Sequence, residues 1–247
     1  MVSRCLAYVV VMAFGSAAMP LAVAHAEPRA VIELFTSQGC SSCPPADKLI
    51  SELAADPSLV SISLPIDYWD YLGWKDTLAD PRHTARQKAY AKLRGDREVY
   101  TPQVVVNGSL HALGSDKSAI ERAIGQTRQN PTTLAVPVKL TVADGQLIVA
   151  LPDGGDTHMV AEVWVCALTK AVTVAIKRGE NHGKTVTYTN VVRQWINLDT
   201  WNGKAKSWKV PVRDFAGDAI DRAAVIVQAG TVEKPSVMLG AALAAIR

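Results

Sequence analysis

The chain has 247 residues, enough for one large domain or two small ones. Its 26 Lys and Arg against 23 Asp and Glu leave a formal net charge of +3, and no basic block stands out, so nothing in it reads as a nucleic-acid footprint. A hydrophobic content of 49% is ordinary for a protein with a buried core and excludes a disordered chain.

Residues 1–26 read as a secretory signal. Arg4 gives the positive start, Leu6–Phe14 the apolar run, and Ala24-His25-Ala26 a small-residue cleavage box before Glu27. The run ends at Gly15 and Ser16, too short for an anchor, and no later run approaches the roughly 20 residues of a membrane span. Cleavage near Ala26 is expected to leave a secreted or periplasmic protein with no membrane span. That compartment is oxidising and lets disulfides persist.

Ala30–Phe35 predicts a buried strand, and Pro44-Pro45 followed by Leu49, Ile50 and Leu53 predicts a helix. Between them stands Cys40-Ser41-Ser42-Cys43. At a helix start, the macrodipole and free N–H groups, with possible help from the Ser41 and Ser42 hydroxyls, favour a thiolate. Cys40 is expected as a surface nucleophile and Cys43 as its buried resolving partner. A structural disulfide and a metal site are the competing readings. Structural zinc wants four ligands, and there is neither a second C-x-x-C nor a histidine pair, so no metal and no cofactor are assigned.

Asp56-Pro57 breaks the chain before a strand at Leu59–Ile66. Asp67–Asp76 is dense in aromatics and acids. It is read either as a loop beside the sulfurs or as packing under an inserted helix. Asp80-Pro81 opens a polar helix through Leu93, on which His83 is expected to be solvated. Thr101-Pro102 precedes a β-branched strand, Val104–Val106, and Asn107-Gly108 turns it into a returning strand. A cis bond there would bring Thr101 against the sulfurs. Ser115 is expected to cap a helix through Arg128, with Ile120, Ala123, Ile124 and Thr127 facing inward.

The order strand-helix-strand, helix, strand-strand-helix, with C-x-x-C at the first helix and Thr-Pro before the third strand, resembles a thioredoxin fold. More closely, the chain resembles the secreted bacterial thioredoxin-like family catalogued as domain of unknown function 1223. The residues that carry this are Glu33–Asp47, Asp67-Tyr68-Trp69-Asp70 and Tyr100-Thr101-Pro102-Gln103, then Arg178-Gly179-Glu180-Asn181 and Asn190-Val191-Val192. The resemblance implies a fold and no settled activity. Thioredoxins carry a buried acid six residues before the nucleophilic cysteine, where this chain has Leu34. Glu33 should point to the opposite face of the strand and reach Cys43 only through water. Gly39 stands where thioredoxins have Trp, which should open the site.

Asn130-Pro131-Thr132-Thr133 marks a boundary. Beyond it, short alternating strands are predicted over 136–142, 146–151, 159–168, 171–177, 185–198, 206–212 and 223–228. The expected organisation is a signal over 1–26, an α/β thioredoxin-like domain over 27–130, and a mainly β, sandwich-like domain over 131–247. The polar turn Arg178–Lys184 could dock near Cys40 through Glu180 and Asn181, or be a plain hairpin turn. His158, Glu180 and His182 make a metal site only if folding gathers them. Cys166 is expected to be buried and inert, with a third redox cysteine as the alternative.

Function is expected to be thiol–disulfide exchange at Cys40 and Cys43, with Thr101 and Pro102 positioning the substrate strand and Glu33, Ser41 and Ser42 supporting. The partner would be a protein or small-thiol disulfide. A non-enzymatic binding protein on the same scaffold and a cysteine-based metallochaperone are the alternatives.

Overall fold

A computed structural model describes residues 27–154, 160–217 and 219–247. The predicted signal and His158 lie outside them. β1 (Ala30–Thr36) is buried along all seven residues. Val31 and Phe35 pack on one side of it, and Ala30, Ile32 and Leu34 on the other. α1 (Pro44–Leu53) begins on two prolines, where the missing N–H groups cost no intrahelical bond. Leu49, Ile50 and Leu53 pack against Ile32 and Leu34. β2 (Leu59–Pro65) then pairs with β1 in parallel.

A one-turn 3-10 segment at Asp70–Leu72 leads to α2 (Pro81–Arg94). Asp80 caps it by accepting from the Arg82 N–H at 2.8 Å. β3 (Gln103–Val106) runs antiparallel to β1. It turns through Asn107 and Gly108, both at positive φ, into β4 (Leu110–Leu113). The cap of α3 (Lys117–Thr127) is Asp116, not Ser115: the Asp116 carboxylate accepts from the Ala119 N–H at 2.9 Å. α1 and α3 lie on one face of these strands, while Tyr90 of α2 packs on the other.

The remaining strands are β5 (Lys139–Ala143), β6 (Gln146–Leu151), β7 (Ala161–Ala175), β8 (Thr185–Trp201), β9 (Lys206–Pro211), β10 (Arg222–Thr231) and β11 (Lys234–Ala245). The described chain is therefore mostly β, with three α-helices and one mixed eight-stranded sheet in the order β11-β10-β7-β8-β2-β1-β3-β4. A second sheet, β5-β6-β9, packs its Leu140, Leu147 and Val149 on Val163, Val165, Val225 and Val227 of the large sheet.

Strands from both sides of residue 130 share the large sheet. They join where β2 meets β8 in parallel at Ser63 and Val191. Two side-chain bonds reinforce that short junction: Ser63 Oγ donates to the Thr189 carbonyl, and Asn190 Nδ2 donates to the Ser61 carbonyl.

Two predicted strands, 159–168 and 171–177, form one continuous β7. It pairs with β10 only up to Leu168 but with β8 as far as Ala175. The outer part of the β7–β8 hairpin thus projects beyond the β10 edge by seven residues, roughly 23 Å at about 3.3 Å each. Its tip, residues 176–184, reaches the start of α1.

Candidate functional site

Cys40 and Cys43 form a disulfide in the turn that enters α1, with Cα atoms 5.4 Å apart. The Cys43 N–H donates to the Cys40 carbonyl at 3.2 Å, and Cys43 is the residue that caps the helix. The expectation of a surface sulfur is corrected: Cys40 is 3% exposed and Cys43 is fully buried. Ser41 and Ser42 are the exposed residues of the turn.

The cover over Cys40 comes from the hairpin tip. Asn181, 1% exposed, donates from Nδ2 to the Gln38 carbonyl at 3.0 Å and to the Cys40 carbonyl at 2.7 Å. Lys184 Nζ donates to Asn181 Oδ1, which orients the amide. Glu180 Oε2 accepts the Ser41 N–H at 3.2 Å. Gly179 adopts φ 75 and passes so close to Trp74 that an added Cβ would lie 3.3 Å from the Trp74 Cβ. A left-handed residue without a side chain is what this approach requires.

The aromatic segment packs on the other side of the same turn. Trp74 Nε1 donates to Gln38 Oε1 at 2.8 Å, and Asp76 Oδ2 accepts the Gln38 N–H at 2.8 Å. Gly39 does not open the site as expected. A Cβ on it would come within 3.0 Å of the Trp69 Cβ, so the missing side chain admits Trp69 instead. Trp69 Nε1 in turn donates to Thr101 Oγ1 at 2.7 Å, linking the cysteine turn to the proline loop. The Thr101–Pro102 peptide is cis. Pro102 is buried and, with Ala46 and Leu34, crowds the space around Gly114, whose N–H donates to the Pro102 carbonyl. The Thr101 hydroxyl is therefore engaged by Trp69.

Glu33 is corrected as a support for Cys43. It projects to the α2 face of β1, fully buried, and accepts from Arg86 Nε at 2.6 Å and from Tyr90 OH at 2.7 Å. Arg86 lies over the Trp195 ring at 4.8 Å and donates to Gln228 Oε1. Burial works against the Arg86 charge, but the Glu33 carboxylate holds its pKa above the ordinary value. A buried carboxylate with this much compensation is a structural ion pair. Cys166 lies in the same layer, and burial pushes its thiol far up, which leaves it unreactive.

His83 is also corrected. It is 1% exposed, with Nδ1 at 2.9 Å from the Pro65 carbonyl, and burial lowers its pKa to about 4. The inward face of this polar helix is set by tertiary packing against Trp195, not by its own weak periodicity.

Two acids on the cysteine turn and its neighbouring segment, Asp47 and Asp76, lie inside stretches the sequence marks but are given no role by them. Asp47 is 1% exposed, accepts from Thr36 Oγ1 at 2.7 Å, and is pushed up to about 8 by burial. Asp76 is 3% exposed and is pushed up to about 6, also by burial. The one available signal for Asp47 was its place four residues after Cys43, on the face that holds Ile50 and Leu53.

Among the described residues no three His, Cys, Asp or Glu side chains are grouped to hold a metal ion, and no helix is long and apolar enough to cross a membrane.

The family model described as protein of unknown function (DUF1223) matches residues 31–228. The chain belongs to the DUF1223 family. That match spans the cysteine turn, the proline loop and the hairpin tip together. A crystal structure of a protein from Agrobacterium tumefaciens is similar at 31% identity and a TM-score of 0.80, covering 91% of this chain and 97% of that one. HBP35 of Porphyromonas gingivalis shares the fold at 11% identity and a TM-score of 0.56, over 89% of this chain and 76% of that one. No curated protein matches the chain.

Proposed function

We propose that this DUF1223 protein exchanges disulfides through Cys40 and Cys43, on a thioredoxin-like unit over 27–130 followed by a sandwich-like region over 131–247, in the periplasm or outside the cell. The observation that carries the reading is a disulfide at the first turn of α1 beneath a cover in which Asn181 donates to the Cys40 carbonyl and Glu180 accepts the Ser41 N–H. The helix start favours the thiolate that exchange requires, and Trp69, packed on Gly39 and bonded to Thr101, ties the Thr101–Pro102 loop to the cysteine turn.

In the reducing direction the Cys40 thiolate attacks a substrate disulfide and forms a mixed disulfide. Cys43 then attacks Cys40 and releases the second substrate sulfur as a thiolate. The substrate is a disulfide or thiol of a polypeptide or small molecule, and no cofactor, nucleic acid or membrane contact enters the step. The test is Cys43→Ser incubated with oxidised glutathione. The expected product is an adduct on Cys40 seen by mass spectrometry and released by dithiothreitol.

A second reading follows from the 3% exposure of Cys40. On it, the disulfide is locked and the scaffold serves binding alone. Failure of Cys43→Ser to form the adduct, with a wild-type disulfide that resists dithiothreitol in the folded state, selects that reading.

A further inference from the structure

We propose that the Asp47 carboxyl is the proton partner of the Cys43 sulfur, giving a proton when the disulfide opens and taking it back when the disulfide closes. The inference rests on the exchange reading above and deepens it.

The geometry is local and specific. The Asp47 N–H donates to the Cys43 carbonyl at 3.0 Å, so the two residues stand one helical turn apart. Side chains four residues apart share a helix face, and helical side chains lean toward the N-terminus, which here means toward Cys43. Thr36 occupies Oδ1. Oδ2 is buried and has no hydrogen-bond partner among the described residues. A buried carboxyl with one idle oxygen costs free energy unless a partner arrives during function. Opening of the disulfide creates such a partner, a thiolate on the wholly buried Cys43.

The surroundings keep a proton available there. The groups whose charge bears on Asp47 are anionic or neutral. Asp76 comes from the segment before α2 and Tyr188 from β8, whose own ionisation is pushed far up by burial. Glu180 is the carboxylate at the Ser41 N–H of the cysteine turn. Lys184 is committed to Asn181. Burial raises Asp47 to about 8, so Oδ2 is protonated at neutral pH and Thr36 donates to the other oxygen.

The step balances. A thiolate attacks Cys40 Sγ, and the bond between Cys40 and Cys43 breaks with its electron pair going to Cys43 Sγ. That sulfur takes the proton from Asp47 Oδ2, leaving a mixed disulfide on Cys40 and an Asp47 carboxylate. A second thiolate attacks the sulfur of the reagent in that mixed disulfide. The reagent leaves oxidised as its disulfide, and the protein is reduced by two electrons. Asp47 is reprotonated from solvent. In the closing direction Asp47 first gives its proton to solvent, and the carboxylate so formed takes the Cys43 proton as Cys43 attacks.

The experiment follows reduction of the oxidised full-length mature protein by 2-mercaptoethanol from pH 6 to 10. Alkylation and mass spectrometry read the product, and the rate is divided by the thiolate concentration of the reagent. Wild type should give a normalised rate that falls as pH rises through about 8. Asp47→Asn should be slower by about tenfold or more at pH 6.5, with a flat profile, since general acid catalysis contributes at least that much. The two should converge at high pH.

Thr36→Val is the second variant. It keeps the carboxyl but removes a bond that lowers its pKa, so the fall should move to higher pH. This carries the test if Asp47→Asn does not fold. Overlapping normalised profiles for wild type and Asp47→Asn, with no displacement in Thr36→Val, would overturn the proposal and leave disulfide exchange standing. No reduction of folded wild type at any pH, with no Cys40 adduct in Cys43→Ser, would overturn both.

Discussion

Replacing Asn181 with Ala tests whether the hairpin tip is a cover that opens. The amide donates two bonds, to the Gln38 and Cys40 carbonyls, at 3.0 and 2.7 Å, and alanine makes neither. Each is worth about 1 kcal/mol net, so the closed tip loses about 2 kcal/mol. At 1.4 kcal/mol per tenfold, this raises the open population about 30-fold. If reagents reach Cys40 only in the open state, reduction by 2-mercaptoethanol should accelerate by about the same factor.

Asn107→Ala is the matched control. It also removes two buried side-chain bonds, from the Val31 N–H and to Thr127 Oγ1, but at the β3–β4 turn away from the disulfide. It should lower stability at least as much without a comparable gain in reduction rate. Equal acceleration in both variants, or none in Asn181→Ala, would show that access does not run through the tip.

Glu33→Gln leaves the Arg86 charge unpaired in a site where the two side chains are 0% and 11% exposed. A loss of about 3–5 kcal/mol is expected from urea unfolding, with the thiolate-normalised pH profile of exchange unchanged because this pair lies on the opposite face of β1 from Cys43. Gly39→Ala pushes a Cβ to 3.0 Å from Trp69 and should cost about 1 kcal/mol, with a shift in tryptophan emission as the Trp69–Thr101 bond loosens. His83 has a folded pKa of about 4, depressed from 6.5 by burial. The unfolded chain therefore binds more protons between these values, and stability is lost as pH falls from about 6.5 to 4. The loss is about 3 kcal/mol. His83→Gln should flatten that part of the stability curve, measured by urea midpoint against pH.

Much of the first half was legible because its signals are local. The prolines after Cys43 and the Asp80 cap mark helix starts by backbone chemistry alone, and Asn107-Gly108 marks its turn in the same way. β11 was missed. Its Val237–Ala245 run is rich in Ala and Gly, so its β-propensity is weak, and it is held by its pairing with β10. The join between β7 and β8 across the sheet to β2 was equally hidden, since one bridge and two side-chain bonds make it.

The sequence alone determined that two thiols three residues apart would sit at a helix start, because prolines and an apolar stripe fix that geometry within a dozen residues. It also determined that Glu33 and Leu34 would face opposite ways, because a strand alternates. Only the tertiary structure decided that Cys40 is covered and that Asp47, not Glu33, is the acid on its side of the sheet. Cover and burial come from Asn181 and Tyr188, more than 140 positions away in the chain, and the burial that shifts a carboxyl depends on what packs around it.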